Sequence, residues 1–383
     1  MRSSTIAFFF FNSCLGIFLT YGVFFNTIAA AFSIPETSTA LVFSIFAVMY
    51  SLSSLAMGFL MDAYGTRAAI LLGGGLMAAG FALSSAAGSY PELIVTYSVI
   101  AGAGSGSMWQ STSLAVFQKY SPSDYRRATG LVSAGTAFGS LIFSPLEAVL
   151  IQDYGWRGAF LFVAVVVSVI TVAATAASGR GMGRREDGFS RERMRGALSS
   201  LRERRFGALY MYYMVGNALS RTMVMLFLVP MLEARGTQFL LASVALSLVG
   251  LGSMLGRMMT NFQRLSEEEI AAISFVLQGM TAVALLYEPD LAAAYILSFL
   301  FGIGYGGYIP EFALIVRKYY GISDYGKLMG VLLTSFGIGA FVGPSLGGVI
   351  LTAEGSYSLV FWVAGASSFL VGLHQLLSYL RRG

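Results

Sequence analysis

Apolar residues fill this chain in long runs, and polar residues gather in the breaks between them. The runs fall near 5–32, 38–61, 68–87, 92–118, 127–151, 157–178, 207–232, 239–262, 268–287, 291–316, 327–351 and 357–379. A helix needs about 20 apolar residues to cross the hydrocarbon of a bilayer. The pattern therefore predicts an all-α membrane protein with twelve transmembrane helices. The first run, Thr5–Phe32, starts like a secretory signal, and Ala29–Ala31 resembles a cleavage site. It is too long for a signal core and another run follows closely, so it reads as a spanning helix.

The breaks are short except one, GRGMGRREDGFSRERMRGALSSLRERRF at 179–206, with nine arginines and four acids. It divides the chain into an N-terminal half (1–178), a basic linker (179–206) and a C-terminal half (207–383), each half with six spans. Six spans precede the linker, so it shares a side with the N-terminus. Span ends on that side add Arg67, Lys119, Arg126, Arg127, Arg264, Arg317, Lys318 and Lys327, and the termini add Arg2, Arg381 and Arg382. Twenty of the 24 lysines and arginines thus share one face, against Arg157 and Arg235 on the other. The positive-inside rule places both termini and the linker in the cytoplasm, in a plasma membrane or, for a bacterium, the cytoplasmic inner membrane. The net charge of +5 is then a signal of topology and not of nucleic-acid binding.

Composition narrows the chemistry. Only 11% of residues are charged, against about 25% in ordinary soluble domains. The single Cys14 lies within the first span and excludes a disulfide or cysteine metal site inside one chain. The single His374, in the last span, reads as a partner in an interhelical hydrogen bond. There is no ligand-spaced cluster for a metal, no set for nucleophilic catalysis and no phosphate-binding loop. An enzyme, a cofactor and ATP-driven transport are all disfavoured.

The halves repeat. Residues 102–139 align with 302–339 at an offset of 200: GAGSG (102–106) faces GIGYG (302–306), SDY (123–125) faces SDY (323–325), and Gly130 and Gly139 face Gly330 and Gly339. Spans 4 and 5 thus correspond to spans 10 and 11. Transporters built from two such halves hold substrate near the midplane and alternate access to it. The glycines, including Gly252 and Gly256, read mainly as points of close helix approach.

The second span ends GFLMDAYGTR, a G-x-x-x-D-x-x-G-x-R pattern through Gly58, Asp62, Gly65 and Arg67. It resembles the cytoplasmic gating motif of the major facilitator superfamily. DYGWRGAF (153–160), FLVP (227–230), GSMLGR (252–257) and YYGISDYGKLMGVLLTSFGIGAFVGPSLGG (319–348) extend the resemblance to the monocarboxylate transporters and the bacterial oxalate/formate antiporters. It covers nearly the whole chain. It implies a secondary transporter of small organic anions, such as lactate or pyruvate, working as a monomer in the bilayer.

Two arginines lie inside spans, where a charge costs roughly 2.5–3.5 kcal/mol on insertion scales. Arg257 shares a helical face with Ser253, Thr260, Asn261 and Arg264. In the relatives an arginine at this position binds the substrate carboxylate, and a guanidinium fork suits that task. Arg257 also lies near a span end, where snorkelling to headgroups is the alternative. Arg221, nearer mid-span, shares its face with Tyr210, Tyr213, Asn217 and Ser220. It either contacts the anion or pairs with a buried acid, Glu147 or Glu311.

Span 10 adds Tyr305 and Tyr308 as candidate lining groups, and span 4 adds Trp109 and Gln110. Proton-coupled relatives carry an acid in span 1 or span 8. Here span 1 has none, and Ser253 stands one turn before Arg257. Proton coupling is left open, with Glu311 as the substitute carrier and Glu147 in a structural or outer-gate role. Oxalate antiporters also use a lysine within span 11. Lys327 sits only at its start, so carboxylate-for-carboxylate exchange ranks second unless Arg221 supplies that charge. A nutrient sensor without transport ranks third, because the longest linker has only 28 residues.

Overall fold

The computed structural model describes residues 3–119, 122–178, 202–259, 265–288, 290–320 and 325–380, and every regular element among them is helical. Helix α1 comprises Ser3–Leu19, a 3-10 turn at Tyr21–Val23 and Phe25–Phe32, followed by α2 at Glu36–Tyr64 and α3 at Thr66–Ser85. Helix α4 begins at Tyr90–Leu93, widens into π-helical turns over Ile94–Ala101 and continues as Gly102–Lys119. Pro122–Ala177 is two helices, α5 (122–154) and α6 (156–177), because Gly155 (φ 72°, ψ 169°) breaks the winding. Helix α7 repeats the plan of α4, with Arg204–Tyr212, a π-helical Tyr213–Leu219 and Ser220–Ala234. Helices α8 to α12 are Phe239–Met259, Glu267–Ala284, Leu291–Tyr320, Tyr325–Glu354 and Ser358–Leu380.

The twelve helices match the twelve apolar runs. Hydrocarbon offers no hydrogen bonds, so a lone segment satisfies its backbone only as a helix. Nine stretches among the described residues are each long and apolar enough to cross a membrane. Part of the difference from twelve is that α5 and α6 count there as one stretch and that α9 opens on three glutamates.

One expectation needs correction. The run 5–32 is not a continuous helix. It breaks at Thr20 (φ −95°, ψ 5°), whose hydroxyl donates to the carbonyl of Ile17 at 2.9 Å, and turns tightly through Tyr21–Val23. Hydropathy is blind to such a break, since Tyr, Gly and Val keep the run apolar.

The chain resolves into two compact units, Met1–Gly188 and Phe189–Gly383, each with six helices. Most of the basic linker, 179–201, lies outside the described residues. Inside each unit the same packing recurs. In the first, α1 packs on α5, α2 on α4, and α3 on α4 and α6; in the second, α7 packs on α11, α8 on α10, and α9 on α10 and α12.

The repeated glycines explain this correspondence. A side chain at Gly106 would collide with the α2 backbone at Ser54, and one at Gly306 with the α8 backbone at Ser253. Gly139 and Gly339 meet the backbones of α1 and α7 in the same way. Gly252 and Gly256 seat α8 on α10 at Phe299–Gly307. Small residues let membrane helices approach closely enough for dispersion to hold them.

Candidate functional site

The two intramembrane arginines meet on one tyrosine. Arg257, in the last turn of α8, is only 3% exposed, and its Nη2 donates to the hydroxyl of Tyr305 in α10 at 3.0 Å. That enclosure removes the snorkelling alternative, which requires the head group to reach water or lipid phosphate. Arg221 of α7, 6% exposed, lies with its guanidinium carbon 4.7 Å from the centroid of the Tyr305 ring and 4.9 Å from that of Phe336 in α11. Aromatic faces carry negative quadrupole density and stabilise such a cation, by about 2 kcal/mol when desolvated.

The neighbours that act electrostatically on Arg221 are Tyr305, Tyr308 and Tyr213, with no carboxylate among those described. Its Nε has no hydrogen-bond partner among the described residues. Pairing with Glu311, one expected alternative, is therefore not found among its described contacts. Glu311 is buried in α10 one turn beyond Tyr308, and Glu147 is buried in the N-terminal unit.

A second network fixes the walls. Gln278 of α9 is fully buried, and its Nε2 lies 2.8 Å from the carbonyl of Gly216, 3.0 Å from Ser220 Oγ and 3.0 Å from Ser368 Oγ. Ser368 donates its own hydrogen to Phe275 O, which leaves its lone pairs for the amide. The Tyr308 hydroxyl lies 2.9 Å from both Asn217 Oδ1 and Gln278 Oε1, and its ring stacks on Phe275 at 4.3 Å. Gly216 and Asn217 belong to the π-helical stretch of α7. Such wide turns recur at functional sites, and here one carbonyl is held by a side chain from another helix.

The sequence-derived candidates divide accordingly. Arg257, Arg221, Tyr305, Tyr308 and Asn217 come together within the C-terminal unit. Ser253 is buried, with its hydroxyl beside that of Tyr305. Tyr308 differs from its expected role in one respect: its single hydroxyl hydrogen is shared by two amide oxygens, so what it presents is its ring. Thr260, Asn261 and Arg264 lie outside the described residues. Trp109 is half-buried in the N-terminal unit, and the side chain of Gln110 lies outside the described ones. Tyr210 bonds Thr334 at 3.1 Å, and His374 bonds the Tyr212 hydroxyl at 2.7 Å, an interhelical contact as expected.

In the G-x-x-x-D-x-x-G-x-R motif, the side chain of Asp62 and the surroundings of Gly58 lie outside those described. Gly65 is the hinge between α2 and α3, with φ of 83°, a conformation side chains disfavour, and Arg67 is exposed.

Gln278, Ser368 and Phe336 were absent from the sequence candidates. Gln278 had a usable signal, an uncharged polar residue in the middle of ISFVLQGMTAVAL. Phe336 had none, because one phenylalanine in an apolar span resembles the rest.

Comparison with known proteins bears on the family and the fold. The family model described as Major Facilitator Superfamily matches residues 6–264 and 213–382. "Monocarboxylate transporter 13" of Bos taurus is 27% identical over 366 residues, covering 93% of this chain and 84% of that protein. "Monocarboxylate transporter 4" of Mus musculus is 26% identical over 368 residues, covering 93% and 78%. Among solved structures, a point mutant of the nucleoside transporter NupG superposes with a TM-score of 0.76 at 10% identity, covering 98% of this chain and 99% of that one. At that identity the likeness speaks for the fold alone.

Proposed function

The chain belongs to the major facilitator superfamily and is a multi-pass membrane transporter resembling the monocarboxylate transporters, and we propose that it carries small monocarboxylates such as lactate or pyruvate by alternating access. One observation carries this reading: two buried guanidinium groups converge on Tyr305 in the C-terminal unit. Two cations held in a membrane interior create a strong positive potential, for which a carboxylate is the complementary ligand. Arg257 is the group assigned to the carboxylate. The Tyr305 oxygen already accepts from Arg257, which leaves its hydrogen available to donate to an anion. The rings of Tyr305 and Tyr308 would pack the aliphatic tail.

A second substrate class is favoured by Arg221. Its guanidinium faces the same ring from another helix, and its Nε is unsatisfied among the described residues. Anions with a second charged group, such as dicarboxylates, would engage both arginines. Exchange of one carboxylate for another fits that class.

In this reading both termini and the 179–206 linker face the cytoplasm, the protein acts as a monomer, and the motif at Gly58, Asp62, Gly65 and Arg67 biases the gate. Substrate entry is coupled to proton entry. Two buried carboxyls are available to carry the proton, Glu311 in the C-terminal unit and Glu147 in the N-terminal unit. The test is counterflow in proteoliposomes across a panel of labelled carboxylates. Exchange of lactate or pyruvate in the wild type that is lost in Arg257→Ala supports the proposal. Absence of counterflow for every carboxylate overturns it.

A further inference from the structure

Glu147 is a carboxyl that the substrate site leaves unused. It lies in α5, fully buried, and Thr20 is the one side chain among the described residues placed to hydrogen-bond it. The groups facing it are Thr20, at the break in α1, and Tyr97, in the π-helical part of α4. Tyr21, next to Thr20, sets its ring 5.2 Å from that of Tyr97, and its own buried hydroxyl lacks a partner among the described residues. No lysine, arginine or histidine is among the described groups facing Glu147. Arg157, the nearest basic residue along the chain, donates to Ala87 O at 2.8 Å and stacks over Trp156 at 4.1 Å. Asp153, on the same helix, is exposed.

The Thr20 hydroxyl, the nearer of the two groups, shows a protonation state that the surroundings fit. Thr20 has a single hydrogen, and it goes to Ile17 O at 2.9 Å. With that hydrogen on Ile17 O, Thr20 has its lone pairs to offer Glu147. A lone pair repels a carboxylate and accepts from a protonated carboxyl. An ionised carboxylate without cation or donor in a membrane interior is among the costliest arrangements, and a proton removes the cost. Both flanking helices are irregular at this level, with a 3-10 turn in α1 and wide turns in α4. Such segments absorb backbone change where regular helix does not.

We propose that Glu147, enclosed between the α1 break at Thr20 and the π-helical turns of α4 at Tyr97, is a proton-binding site that carries the coupling proton. The inference rests on the transport reading above and adds the site of the coupled ion. The structure corresponds to the loaded state, with the carboxyl hydrogen directed to Thr20 Oγ1. Release requires water to reach Glu147. The O–H bond then breaks, the proton passes to that water, and the carboxylate left behind is hydrated.

Two measurements on the full chain test this. In proteoliposomes with labelled lactate, a pH gradient of one unit sustains about tenfold accumulation for one proton per monocarboxylate. Glu147→Gln, a fixed mimic of the protonated group, should bring that ratio to unity while counterflow exchange continues. Glu311→Gln should keep the gradient-driven accumulation. Accumulation unchanged in Glu147→Gln, or lost only in Glu311→Gln, overturns the proposal. Wild type without any counterflow overturns the transport reading instead, so the two failures are distinguishable.

Infrared spectra in lipid give a readout independent of transport. Wild type at neutral pH should show the carbonyl stretch of a protonated carboxyl that is missing in Glu147→Gln and shifted in Thr20→Val. Thr20→Val leaves Glu147 itself in place, so it serves even where Glu147→Gln does not fold. A band unmoved by Thr20→Val, or no such band in the wild type, overturns the assignment.

Discussion

The guanidinium of Arg221 lies over the face of the Tyr305 ring, 4.7 Å from its centroid. The ring face offsets part of the cost of burying the cation but leaves Nε without a partner among the described residues. A buried donor without a partner is a standing penalty of about 1–3 kcal/mol, and a ligand that accepts from it recovers that penalty. Arg221→Ala should therefore weaken dicarboxylates by about 5- to 150-fold relative to unsubstituted monocarboxylates such as acetate, the equivalent of about 1–3 kcal/mol. Competition assays across the panel, run beside thermal unfolding, check this. Equal loss for every substrate together with a fall in stability would show that Arg221 is structural.

Arg257 presents the sharper chemical requirement. Its position is set by the bond to Tyr305 and by the enclosure of its side chain. Lysine keeps the charge but lacks the fork that grips a carboxylate through two parallel bonds. Arg257→Lys and Arg257→Ala are both expected to lose lactate transport. Wild-type affinity in a correctly inserted Arg257→Ala protein would refute the assignment.

Tyr305→Phe separates the ring from the hydroxyl. The ring beneath Arg221 is retained, while the oxygen that Arg257 donates to is removed. Hydrogen bonds to charged groups contribute about 1.5–3 kcal/mol, so the half-saturation constant for monocarboxylates should rise by about 10-fold or more. Stability should fall by about 1–3 kcal/mol, because the buried Arg257 loses this acceptor while the aromatic packing persists. A mutant with unaltered transport constants would mean that the hydroxyl neither positions Arg257 nor contacts substrate.

Gln278→Leu should act chiefly on stability. The amide holds Gly216 O, Ser220, Ser368 and Tyr308 from one point, and leucine leaves several buried groups unpaired. A loss of about 2–5 kcal/mol of stability follows from the usual cost of each orphaned group. Gln278→Glu keeps an acceptor for Tyr308 but brings a carboxylate into a unit with two buried arginines, and should weaken anion binding at moderate cost in stability. Unfolding midpoints in detergent and counterflow rates for the two variants distinguish these effects. Unchanged stability in Gln278→Leu would remove the amide from its structural role.

Much of the architecture was legible without coordinates. The twelve apolar runs, the glycines repeated at an offset of 200 and the two intramembrane arginines all follow from terms that act segment by segment. Hydrophobic length decides whether a segment enters lipid, and the cost of burying a charge marks a residue whatever its neighbours are. Tyr305 and Tyr308 could likewise be singled out as aromatic residues with a polar tip on a glycine-rich helix.

What those residues touch was not legible. Arg257 and Tyr305 are 48 residues apart, and Tyr308 and Asn217 are 91 apart. Their meeting depends on how far each helix is rotated and how closely its glycines let the next backbone approach. The wide turns of α7, the break in α1 at Thr20 and the central place of Gln278 depend likewise on backbone groups finding partners on other helices. Hydropathy and periodicity describe one helix against an average surrounding. Only the tertiary packing decides which lone pair faces which proton, and so whether a buried polar group binds substrate, carries a proton or holds the wall in place.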